Sequence, residues 1–137
     1  MRVFDRLENV GVRLTIDVEQ RLVVSTFFGE IGDAEILDHS SSIRSHPDFD
    51  PSFSELLDFS GITGGSPIAT STIQELAQRE SIFNPASLHV IVAPQDFIFG
   101  LARMAEVFGQ KTKPNLVVVR TVEEARKILR PEKAALD

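Results

Sequence analysis

The sequence predicts an α/β fold: a mixed five-stranded sheet in the order ββαβαβαβα, mostly parallel, with one antiparallel edge strand. Three observations predict it. Two β-prone runs, residues 12–18 (VRLTIDV) and 21–28 (RLVVSTFF), are separated only by Glu19-Gln20, which suits a hairpin. Strand-like and helix-like segments then alternate, as they do where parallel strands are joined by right-handed helical crossovers. Proline and glycine breaks punctuate the segments, with no internal repeat, low-complexity stretch or linker. Residues 1–137 therefore read as one domain, with a core over about 11–130 and a frayed tail at 131–137.

Each element has its own signal. In the first run Val12, Leu14, Ile16 and Val18 alternate with Arg13, Thr15 and Asp17, the mark of a half-buried strand. The second run is more continuously apolar, as a strand covered on both faces should be. Gly29–Gly32 turns the chain, and Asp33 is placed to cap a helix with Ile36, Leu37, Ser40 and Ile43 at helical spacing. His46-Pro47 ends that helix, because proline disfavours helical geometry at the residue before it. Leu56-Leu57-Asp58-Phe59 reads as a short strand and residues 60–70 (SGITGGSPIAT) as a loop.

A second helix is expected from about Ser71 to Ile82, with Ser71/Gln74 or Thr72/Glu75 as a capping box. Residues 88–93 form the next strand, and the segment after Pro94 is unusually apolar. At helical spacing Phe97, Leu101, Met104, Ala105 and Phe108 share one face, with Ile98 at its edge, and Phe99 lies nearly opposite. Gly100 suggests close approach to another backbone, since glycine in a helix costs roughly 1 kcal/mol against alanine. Leu116–Arg120 is the last strand. Thr121 and Glu124 then form a capping box for a helix that turns Ala125, Ile128 and Leu129 inward.

Composition bounds the function. The 137 residues carry a net charge of −6, which argues against a nucleic-acid surface or an anionic membrane as partner. No apolar run approaches the ~18 residues of a membrane span, and the start MRVFDRLENV does not look like a secretory signal. With no cysteine, disulfides, thiolate catalysis and cysteine metal sites are impossible. A cytoplasmic protein without metal or other cofactor is the expectation.

HPDFDPSF (46–53), LLDFSGIT (56–63) and IVAPQDFIFGLARM (91–104), in this element order, resemble the SpoIIAA-like superfamily. That superfamily includes the STAS anti-sigma-factor antagonists, and the chain looks more like its small stand-alone bacterial STAS-like proteins. The resemblance covers roughly residues 11–130 and implies a non-enzymatic regulatory module that binds protein. In phosphorylatable STAS proteins, Asp-Ser-Ser-Gly stands at a helix start. Here the matching stretch is Gly65-Ser66-Pro67-Ile68-Ala69, and Ile68 occupies the acceptor position without a hydroxyl. A phospho-switch is therefore disfavoured, although Ser66, Thr70, Ser71 or Thr72 could offer an anion or phosphate site at a helix start. The wider resemblance includes lipid-binding CRAL-TRIO domains, which makes a carrier of a lipid or other apolar ligand an alternative. A chain this short is expected to have little room for an enclosed lipid cavity, which normally takes several hundred cubic ångströms.

The candidate chemistry is sparse. Gly61-Ile62-Thr63-Gly64-Gly65-Ser66 lacks the Lys-Ser/Thr of a phosphate loop, and Ile68 breaks a nucleophile elbow at Gly64–Ile68. His39, His46 and His89 share no metal-ligand spacing, and no Ser-His-Asp set is visible along the chain. Asp58 ends an apolar strand and is expected to play a structural role, bonding N–H groups of the following turn. Phe99, Ala102, Arg103 and Glu106 would form an apolar spot with a polar rim, an interaction surface suited to a protein partner or a homodimer. An interaction module of unassigned pathway is thus the leading expectation.

Overall fold

A computed structural model describes residues 11–64 and 68–129. Ser66 and the expected tail at 131–137 lie outside those residues. The strands are β1 (Val12–Asp17), β2 (Leu22–Glu30), β3 (Ser54–Gly64), β4 (His89–Val92) and β5 (Leu116–Val119). The helices are α1 (Asp33–Arg44), α2 (Thr70–Gln78), α3 (Asp96–Phe108) and α4 (Val122–Leu129). The element order is ββαβαβαβα, and the five strands lie in one sheet in their sequence order. β1 pairs antiparallel with β2 at one edge, and the other three pairings are parallel.

Sequential strand order has a geometric consequence. Right-handed crossovers that all step the same way across a sheet place their helices on one face. Accordingly Ile36 of α1 and Ile98 and Ala102 of α3 pack with Phe27, Ile62, Ile91 and Leu116. The opposite face packs Leu22, Leu56, Val90, Val92 and Val119 against Ala125, Ile128 and Leu129 of α4. Strand parity sorts the residues: Val23, Glu55, His89 and Leu116 form one cross-strand row on the three-helix face, and Ser25, Leu57, Ile91 and Val118 form the next. A third cluster of Val23, Ile43, Phe53 and Phe83 closes the end where the parallel strands begin.

Several boundaries differ from the sequence reading. β3 runs eleven residues, so Ser60–Gly64 belongs to the strand and not to a loop. Its glycine is explained by a bulge opposite Phe27: a Cβ on Gly61 would lie 3.0 Å from the Phe27 carbonyl oxygen and 3.1 Å from the Phe28 Cβ. Gly32, not Asp33, is the N-cap of α1, and its N–H donates to Glu35 Oε1 at 2.7 Å. Asp33 instead accepts from the Ala69 N–H at 3.1 Å, tying the entry of α2 to the start of α1. α2 ends at Gln78 and has Ala69 as N-cap, without either expected capping box. At α4 the expected box forms: the Glu124 N–H donates to Thr121 Oγ1, and the Thr121 N–H donates to Glu124 Oε1, both at 3.1 Å. Among the described residues no helix is long and apolar enough to cross a membrane.

Candidate functional site

α2 is the element that shapes the site. Its buried face, Ile73 and Ala77, joins none of the three core clusters. The helix packs mainly on α3, with a smaller contact to α1. Under it, between the sheet and the helices, lies a cavity of about 470 Å³. Such a volume is within the roughly 300–1,000 Å³ of small-molecule sites. So short a chain thus has more room than its length suggests, in a cavity that opens to solvent and is not enclosed. The reason is local: α2 is held by its neighbours and by its C-terminal carbonyls, not by packing down on the strands. The Thr112 hydroxyl donates to the Ala77 carbonyl, and Lys113 Nζ reaches the Leu76 carbonyl at 3.5 Å. These contacts satisfy groups that every helix end leaves open.

The walls are mostly apolar. Ile31, Ile62 and Phe59 line one part, Ile73 and Leu76 another, and Phe97, Ile98, Leu101 and Ala102 a third. Phe97 is 61% exposed, and the exposed Arg44, Arg79 and Glu80 mark where the cavity meets solvent near the C-terminal ends of α1 and α2. Arg79 spans this end, ion-paired with Glu75 at 2.7 Å and reaching the Leu37 carbonyl at 3.4 Å.

One end of the cavity is polar, and secondary structure explains why. Glu55 and His89 are direct cross-strand neighbours on the three-helix face. His89 Nδ1 donates to Glu55 Oε1 at 2.7 Å, and both residues are buried, at 2% and 5% exposure. Burial pushes the Glu55 carboxyl up. The His89 hydrogen bond, with the Lys113 ammonium nearby, outweighs it and holds the group below its usual range. His39 comes from the inward face of α1, and its Nε2 lies 2.6 Å from Ser25 Oγ on β2. Protein surrounds this imidazole, which keeps it neutral by lowering its pKa, while Glu55 opposes that shift. The residue as a whole is half-buried and lines the cavity. Lys113, in the turn before β5, has its pKa lowered by burial and by Arg79, against the pull of Glu55.

The residues singled out from sequence are distributed differently. α3 is rotated relative to the expected stripe: Ile98 and Ala102 are buried while Phe97 is exposed. Ala102 thus points into the core and is not part of a surface spot. Phe99 is half-buried against the same cluster, and the Arg120 guanidinium lies 3.8 Å from its ring centroid. Arg103 and Glu106 form an i,i+3 pair at 2.9 Å. Gly100 faces open space, not a neighbouring backbone. Thr70 and Ser71 are exposed in the first turn of α2, whereas Thr72 is buried. Asp58 accepts the Ser60 N–H at 2.9 Å and its hydroxyl at 2.5 Å, within the bulge of β3 and not in a turn that follows the strand. Among the described residues no group of three or more His, Asp or Glu side chains is placed to hold a metal ion.

Glu55, His39 and His89 are the residues that sequence reasoning passed over. The signal was parity: Glu55 is in phase with Leu57 and Phe59, and His89 with Ile91, on strands whose apolar partners face the helices. A scan against protein-family models matches none, and a search of curated proteins finds no match.

Proposed function

We propose that this chain is a non-enzymatic, SpoIIAA-like cytoplasmic module that holds a small apolar molecule between its sheet and α2. The observation that carries the reading is the cavity of about 470 Å³ with a mostly aliphatic and aromatic wall. Burying apolar ligand surface there gains roughly 25 cal/mol per Å² before ordering costs are subtracted. The mixed sheet and its helix arrangement support the SpoIIAA-like resemblance, and the carrier reading agrees with its lipid-binding branch.

Two other readings are weaker on the same geometry. A Ser–His pair exists at Ser25 and His39, but the Ser25 side chain is fully enclosed and does not line the cavity. It presents no nucleophile to a bound molecule. Self-association through Phe99 would have to displace Arg120, which already covers the ring and bonds Asp96 at 2.8 Å. Native mass spectrometry of freshly purified protein tests the carrier reading. A ligand-bound species that reverts to the bare chain mass on collisional activation is expected. Only the bare mass, with no added species after incubation with apolar dyes, would count against it.

A further inference from the structure

We infer that the cavity selects a neutral apolar molecule bearing a hydroxyl group, which Glu55 and His39 hold at the polar end. This rests on the cavity being a binding site and names the chemistry of its occupant.

The polar end is an incomplete hydrogen-bond network. Glu55 is 5% exposed and lines the cavity, yet among the described residues only its Oε1 has a hydrogen bond, from His89. His39 also lines the cavity, and among the described residues only its Nε2 is engaged, with Ser25. The second Glu55 oxygen opens onto the cavity, and leaving it without a donor is costly once an occupant excludes water there, so an occupant that brings one is favoured. An alkane or ether brings none. A carboxylate or phosphate brings none either, and sets a second negative charge beside Glu55. An ammonium brings donors but adds a second cation to a wall that already carries Lys113.

A hydroxyl meets both needs without net charge. With the Ser25 hydroxyl donating to His39 Nε2, the remaining ring N–H at Nδ1 donates to the ligand oxygen. The ligand O–H then donates to the free oxygen of Glu55. Every group in the chain from Ser25 to His89 is satisfied once, with consistent donor and acceptor roles. The rest of the molecule lies along Phe59, Ile62, Ile73 and Ile98.

The test uses the full chain with Nile red as a fluorescent occupant, displaced by decanol, decyl methyl ether, decanoate or decylamine. Decanol and its methyl ether differ chiefly by the donor. The inference expects decanol to displace the dye at a concentration about tenfold lower than the ether, the worth of one hydrogen bond to a charged group. Decanoate and decylamine should be weaker than decanol. Equal displacement by alcohol and ether, or tightest displacement by either ion, overturns the hydroxyl assignment and leaves the cavity reading intact. Failure of the dye and of all four compounds to bind, checked by calorimetry, removes the cavity reading and this inference with it. Glu55→Gln should shrink the alcohol advantage to about twofold or less as the charged acceptor is lost. A full advantage in that variant overturns the role of Glu55. Should it fail to fold by circular dichroism, the comparison on the native chain decides alone.

Discussion

Phe99 looks out of place on a helix that should have ended its apolar stripe, and Arg120 accounts for it. The guanidinium stacks on one face of the ring while donating to the Pro94 carbonyl at 3.0 Å and to Asp96 at 2.8 Å. One cation thus closes the end of the sheet and joins the tip of β5 to the first turn of α3. Asp96 is almost fully exposed, so the ion pair itself adds little. The stacking and the excluded water should matter more. Arg120→Ala is expected to lower stability by about 1 kcal/mol, within the range for partly exposed cation–π contacts. Urea unfolding would check it, and Asp96→Asn should change the midpoint much less.

His39 and Glu55 also set how stability depends on pH. Below the ordinary histidine value of 6.5, the unfolded chain takes up a proton at residue 39 that the enclosed imidazole resists. The unfolded state binds more protons there, so stability falls as pH drops through that value. Below 4.5 the unfolded carboxyl of residue 55 is protonated while the folded one, held down by its partners, stays ionised. Stability then falls a second time, in the same direction. Denaturation midpoints measured from pH 8 to pH 4 should therefore decline from about 6.5 downward. His39→Gln should flatten the upper part of that decline and leave the lower part. An unchanged profile in that variant would show that His39 is not the group responsible. These residues were present in the sequence but silent, because nothing along the chain links positions 39, 55 and 89. Only the parallel pairing of β3 with β4, and the crossover that lays α1 over β2, bring them together.

At the scale of elements, what the sequence disclosed depended on how one-sided each element is. α4 has a sharp division between Ala125, Ile128 and Leu129 and its charged face, so both its cap and its inward side were readable. α3 is apolar nearly all round, from Phe97 through Phe108, and helical spacing alone does not choose a phase for such a helix. The structure turns Ile98 and Ala102 towards the core and the cavity and leaves Phe97 and Val107 exposed. The second half of β3 is hard to read from sequence, because Gly61 and Gly64 look like turn residues. Gly61 is in fact required by the bulge against β2. Gly100, by contrast, has nothing within 4 Å of where a Cβ would stand. Gly100→Ala should therefore stabilise the protein by up to about 1 kcal/mol through helix propensity. A lower melting temperature in that variant would mean that the site is more crowded than the structure shows.

For the molecule as a whole, the element order and the antiparallel edge were legible, since hairpin spacing and strand–helix alternation depend on local pattern. The void under α2 was not. It arises from the distance between three helices and a sheet, which no single segment encodes, and its walls consist of residues that read as ordinary core. A packed protein of this kind leaves few spaces larger than a water molecule, so a cavity of about 470 Å³ that meets solvent is the feature most in need of an occupant. Ile73, on the inner face of α2, projects towards it, and Ile73→Trp would fill part of the space without touching the polar end. Nile red titration of the native chain and of Ile73→Trp, each confirmed folded by circular dichroism, tests this most directly. The native chain should give a saturable rise in fluorescence at one site per molecule, and the tryptophan variant at least tenfold weaker binding. No saturable rise in the native chain, or equal binding by the two proteins, would contradict the assignment of the cavity as the functional site.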